Sequence, residues 1–107
     1  ELFGPVAMIK SFVREGIYKI IQDYPYGLVM QIWTEDLKLA QDLAKLVNVG
    51  TVWINTFAQL SASTPFGGKG LSGWGRNLGK FGFFEYIQPK HIGIGKTRTP
   101  VEGWFGF

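Results

Sequence analysis

Cysteine is absent from this 107-residue sequence, and histidine occurs once, at His91. The first absence removes a disulfide framework, thiolate–zinc sites and any cysteine nucleophile from within the chain. The second removes a histidine pair, and His91, between Lys90 and Ile92, reads as a solvent-side residue. A basic stripe is also lacking: eleven Lys and Arg against eight Asp and Glu leave a net charge of +3, scattered from Lys10 to Arg98, so nucleic acid is not an expected partner. No apolar run approaches the roughly 20 residues that cross a bilayer. The first residues lack the charged-then-apolar pattern of a leader. The expectation is a soluble, cytoplasmic chain without a membrane partner. Glu15, Glu35, Asp36 and Asp42 fall on predicted helices without ligand spacing, and no metal is expected.

What is present is enough apolar material for one core: 46% hydrophobic and 18% charged residues, outside the range of a disordered tail. The chain opens at Glu1 inside what reads as an approach to a strand, which suggests a fragment or processed piece. Residues 6–12 form a short run of strand formers after Gly4-Pro5 and predict a buried strand. Ile17, Ile20, Ile21 and Tyr24 recur with helical spacing, predicting an amphipathic helix over 14–23 that Pro25 ends. A second strand is predicted over 28–33. Thr34 then stands as an N-cap ahead of a helix to Val47, with Leu39, Ala40, Leu43, Ala44, Leu46 and Val47 on one stripe. A third strand is predicted over 49–55. Strands separated by helices favour a parallel sheet, so the class is α/β.

Residues 56–79 keep no apolar period of either kind. Leu60, Phe66, Leu71 and Trp74 inside this stretch predict a loop that packs. Its glycines fit neither the Gly-Lys-Ser/Thr phosphate loop nor a G-x-G-x-x-G turn, and close backbone packing is the better reading. Ser61, Ser63 and Ser72 lack a G-x-S-x-G elbow, which disfavours serine nucleophile chemistry. A short helix over 78–86, a last strand over 87–95 and an irregular tail complete the chain. Three strands and one extra make a thin sheet with too little cover, as expected of part of a larger domain. Trp104, Phe105 and Phe107 give the tail aromatic surface that must fold back or dock.

Four stretches, in order, resemble the C-terminal part of the aldehyde dehydrogenase superfamily. They are Glu1-Leu2-Phe3-Gly4-Pro5-Val6, Pro25-Tyr26-Gly27-Leu28, Gly50-Thr51-Val52-Trp53-Ile54-Asn55, and Pro65-Phe66-Gly67-Gly68 with Ser72-Gly73-x-Gly75-Arg76-x-x-Gly79. Lys69-Gly70 stands where the family carries an aromatic and then lysine, and Asn77 replaces an acid after the Gly-Arg pair.

The resemblance implies a parallel-sheet catalytic domain whose C-terminal part is residues 1–85, an oligomerisation strand over 86–95, and a tail over 96–107. It implies an enzyme that oxidises an aldehyde with NAD or NADP, through a cysteine adduct and a glutamate-activated water, both groups lying upstream of this chain. The segment by itself is expected to be inactive. Glu1 would hold the nicotinamide ribose hydroxyls and Phe3 would pack beside the nicotinamide. Phe57, Leu60 and Phe66 would wall the aldehyde funnel, and the small Ala58 would widen it for bulky apolar aldehydes. The strand from Tyr86 to Gly95 would pair with a neighbouring subunit in a homo-oligomer. The alternative is a non-catalytic module that pairs with a related subunit.

Overall fold

The computed structural model describes residues 2–95. Its regular elements run in the order of a 3-10 turn (Arg14–Gly16), α1 (Ile17–Gln22), β1 (Val29–Ile32), α2 (Leu37–Leu46), β2 (Thr51–Ile54) and α3 (Gly79–Phe84). β1 and β2 are parallel, with Met30 opposite Val52 and Ile32 opposite Ile54. Because side chains alternate across a strand, these four residues share one face. That face meets the helices: Ile32, Ala40 and Leu43 form the buried core, with Ile17, Ile21, Met30, Leu39, Val52 and Ile54 packed against it. The expected α/β class with a parallel sheet is therefore observed; of the two stripes Ile17, Ile21, Leu39, Ala40 and Leu43 face the core, whereas Ile20, Tyr24 and Leu46 are exposed.

The start of α2 differs in detail from expectation. Asp36, not Thr34, is the N-cap: its carboxylate accepts from the Leu39 amide at 2.9 Å. Thr34 Oγ1 instead accepts from the Asp36 amide at 3.1 Å and turns the chain into the cap. The Arg14 guanidinium donates to the second Asp36 oxygen at 3.0 Å, tying the 3-10 turn to α2. β2 begins at Thr51, two residues after the expected start.

Two predicted strands are not formed. Residues 6–12 and 87–95 contain no strand, and their apolar side chains stand in solvent, Ile9 at 96% exposure and Ile94 at 86%. The physical reason is common to both: a strand exists only through a neighbour that completes its hydrogen bonds, and among the described residues neither segment has one. The sheet accordingly has two strands, where three and a fourth were expected.

The long loop is ordered, but not by the side chains expected to pack it. Leu60 and Leu71 are exposed and Trp74 is 97% exposed. Order comes from backbone meeting backbone. Residue 27 precedes β1 and residue 50 precedes β2, and the Gly50 amide donates to Gly27 O at 2.9 Å, as does the Lys69 amide at 3.0 Å. The Gly27 amide donates to Ser72 Oγ at 3.1 Å. A Cβ on Gly50 would lie 1.6 Å from Gly67 O, and one on Gly27 would lie 2.6 Å from Asn48 O. Only glycine permits this approach. Arg76 then locks the loop by donating to Gly68 O at 2.8 Å and Gly75 O at 2.6 Å. The glycine stretch thus seals the amino ends of the two strands.

Candidate functional site

In open α/β sheets, ligands bind beyond the carboxyl ends of the strands. Here those ends are Ile32 and Ile54, followed by Trp33-Thr34 and Asn55-Thr56-Phe57-Ala58. The two exits are stitched together. The Asn55 amide donates to Ile32 O at 2.9 Å. Its side chain accepts from the Thr34 amide at 2.9 Å and donates to Thr34 O at 2.8 Å. Asn55 and Ala58 both hold positive φ, 53° and 50°, a region costly for side-chain-bearing residues and least so for Asn.

These two bends deliver Phe57 outward, 66% exposed. Its ring meets Trp53 edge-on, with centroids 6.0 Å apart at 73°. Leu60 follows, also exposed. The segment then closes on itself, with the Thr64 amide donating to Ser61 O at 3.1 Å, and it is fastened to α3 by the Gly79 amide on Ala62 O at 2.9 Å. From Trp53 to Phe66 the chain carries no Asp, Glu, Lys, Arg, His or Cys. Such a surface can bind and shape an apolar group but offers no acid, base or activated nucleophile.

The other expected site residues are placed elsewhere. Phe66 pairs by two backbone hydrogen bonds with Asn77, each 2.8 Å. It lines a groove of about 410 Å³ with Leu28, Gly68, Trp74 and Arg76, a lining that contains none of Phe57, Ala58 or Leu60. Phe3 lies in the extended segment before the 3-10 turn and is 98% exposed. Glu1 and the tail aromatics lie outside the described residues.

Three ionisations are shifted on the surface of α2 and its cap. The Leu39 amide, and after it the Arg14 guanidinium, hold the Asp36 carboxyl below its ordinary value. Hydrogen-bonded pairing with Lys38 lowers Asp42, and the same pair raises Lys38. These groups are solvated surface charges and supply no chemistry at the strand exits. Among the described residues no group of acids or histidines is arranged to hold a metal, and no helix is long and apolar enough to cross a membrane.

Sequence reasoning missed the Asn55 clasp. The available signal was an asparagine ending a strand, since Asn both tolerates a left-handed backbone and bonds locally through its side chain.

Comparison with known proteins identifies the family. The profile of the aldehyde dehydrogenase family matches residues 1–92. Betaine aldehyde dehydrogenase of Bacillus subtilis is 38% identical over 106 residues, 98% of this chain and 21% of that protein. Aldehyde dehydrogenase 1A1 of Mesocricetus auratus is 39% identical over 95 residues, 88% of this chain and 19% of that protein. A crystal structure of Staphylococcus aureus betaine aldehyde dehydrogenase with NAD+ superposes with a TM-score of 0.80 at 38% identity, covering all of this chain and 21% of that one. An NAD+ complex of a Bacillus cereus aldehyde dehydrogenase has a TM-score of 0.74 at 36% identity, over 80% of this chain and 18% of that one. The chain therefore spans about a fifth of the length of these relatives. The family match takes the N-terminal 92 residues of the chain, so the expectation of a C-terminal piece is corrected to the coarser statement of a family segment. With its profile match, relatives and parallel-sheet fold in accord, this chain belongs to the aldehyde dehydrogenase family.

Proposed function

We propose that this chain forms the aldehyde-facing side of an NAD(P)-dependent aldehyde dehydrogenase whose nucleophile lies outside these 107 residues. The observation that carries this reading is the uncharged loop at the carboxyl ends of β1 and β2, in a chain without cysteine. Phe57 and Leu60 present apolar surface to the aldehyde's substituent, and Ala58 leaves room between them. A thiolate supplied elsewhere in the enzyme adds to the aldehyde carbon, and a water activated there releases the acid after hydride has left. The nicotinamide, when bound, accepts that hydride. The exposed ring of Phe3 is suited to lie beside a flat aromatic ring. A carboxylate such as that of Glu1 accepts two hydrogen bonds from a ribose diol.

Residues 1–85 belong to the catalytic body in this reading. Residues 86–95 add as a strand to a neighbouring subunit, which would cover Tyr86, Ile92 and Ile94, all exposed in the isolated chain. Relatives that include the rat cytosolic aldehyde dehydrogenase support a cytoplasmic location.

Turnover of hexanal, benzaldehyde and succinic semialdehyde by the whole protein tests the assignment. The two apolar aldehydes should be preferred. Phe57→Ala should lower kcat/KM for them by about tenfold or more, the scale of removing one aromatic ring from beside an apolar substrate. A preference for the semialdehyde that survives the substitution would overturn the apolar-funnel reading.

A further inference from the structure

We infer that Asn55 is a positioning residue that sets aldehyde affinity by fixing the turn bearing Phe57 and Ala58; this rests on the reading that the turn faces the aldehyde. Asn55 stands where the sheet ends. The last paired residues are Ile32 and Ile54, and the last main-chain bond between the strands is that of the Asn55 amide on Ile32 O at 2.9 Å. The Asn55 side chain extends that link with a two-bond clasp on the Thr34 main chain, at 2.9 and 2.8 Å. The amide is suited to this because it donates and accepts from one rigid plane.

The same residue turns the backbone, at φ 53°, and Ala58 turns it again three positions later at φ 50°. The direction in which Phe57 leaves the sheet is set by the first bend and by the edge contact with Trp53. Nothing in the segment from Thr56 to Leu60 bears charge that would compete for the clasp. Releasing it frees the Thr34 N–H and C=O and lets the two exits part, which displaces the Phe57 ring without removing any atom of the aldehyde wall. A displaced ring loses dispersion contacts with the bound apolar group, which weakens its binding and leaves the reacting groups, supplied elsewhere, in place.

The test uses the whole protein carrying this chain and two variants. Asn55→Gly removes the clasp but keeps the left-handed backbone accessible. Asn55→Asp keeps the acceptor for the Thr34 amide and places an oxygen against Thr34 O. Both should raise the aldehyde KM, the glycine variant by roughly tenfold, the worth of about one to two net hydrogen bonds. The cofactor KM and kcat should stay within about twofold of the parent. Equal changes in both KM values, or a fall in kcat alone, would mark a merely structural role and overturn the inference. Phe57→Ala serves in parallel. If it raises the aldehyde KM and Asn55→Gly does not, the inference fails while the functional reading stands. If Phe57→Ala leaves the aldehyde KM unchanged, the functional reading itself fails and takes the inference with it.

Discussion

The two ends of the parallel strand pair are held by different physics. At the amino ends, Gly27, Gly50, Gly67 and Gly68 bring backbone against backbone, with separations that admit no side chain. On the face toward the helices, Ile32, Ala40 and Leu43 bury side chains between sheet and helix. Beyond Ile32 and Ile54 the chain has neither device: the exits are joined by the Asn55 amide on Ile32 O and by the Asn55 side chain on the Thr34 main chain. The sealed end has little freedom to vary its residues. The clasped end can change Phe57, Ala58 or Leu60 without disturbing the strands, which is what a substrate-facing loop on a rigid scaffold requires.

This contrast can be broken most sharply at Gly50. Gly50→Val should abolish soluble expression of the whole protein or cost more than about 4 kcal/mol in denaturant unfolding, since the new Cβ meets main chain that cannot yield. Leu43 offers the comparison with ordinary packing. It is 1% exposed, and Leu43→Ala should cost about 2–5 kcal/mol while leaving a folded, active protein. If Gly50→Val proved milder than Leu43→Ala, the backbone seal would not be the stiffer of the two devices.

The smallest effect concerns acid. The Asp36 carboxyl is held below its ordinary value chiefly by the Leu39 amide and then by Arg14, so its contribution is complete above the unfolded carboxylate pKa. It is lost as the pH falls through the folded value. Asp36→Asn should keep the α2 cap, because asparagine caps equally well. It should remove that residue's share of the acid dependence of Tm. Thermal melts of both proteins across the acid range check this, and an unchanged acid dependence would show the shift to be without consequence.

How much of this was legible from residues alone follows the same division. The α2 stripe and the parallel pairing were readable because helix and strand periods are local, and Ala40 and Leu43 lie where the spacing puts them. The glycine seal was readable only in outline, as close packing, since nothing local says that Gly50 meets Gly67. The strands expected over 6–12 and 87–95 do not form within this chain because strand propensity does not supply a neighbour. Those segments have strand-forming residues and no partner among the described ones. Asp36 displaced Thr34 as the cap because α2 starts at Leu37, which puts the Asp36 carboxylate within reach of the Leu39 amide and leaves Thr34 too early in the turn. At the strand exits, Phe57 and Ala58 were singled out by family resemblance as funnel residues, whereas the Asn55 clasp depends on a partner 21 residues distant.

The central claim is that these residues shape an aldehyde site whose attacking sulfur is supplied from outside them. Reduction of NAD+ in the presence of hexanal, followed for the whole protein and for the 107-residue chain at equal concentration, tests it most directly. The account predicts NADH from the whole protein, abolished by a thiol-alkylating reagent, and none from the cysteine-free chain. Aldehyde-dependent NADH formation by the 107 residues alone would contradict it.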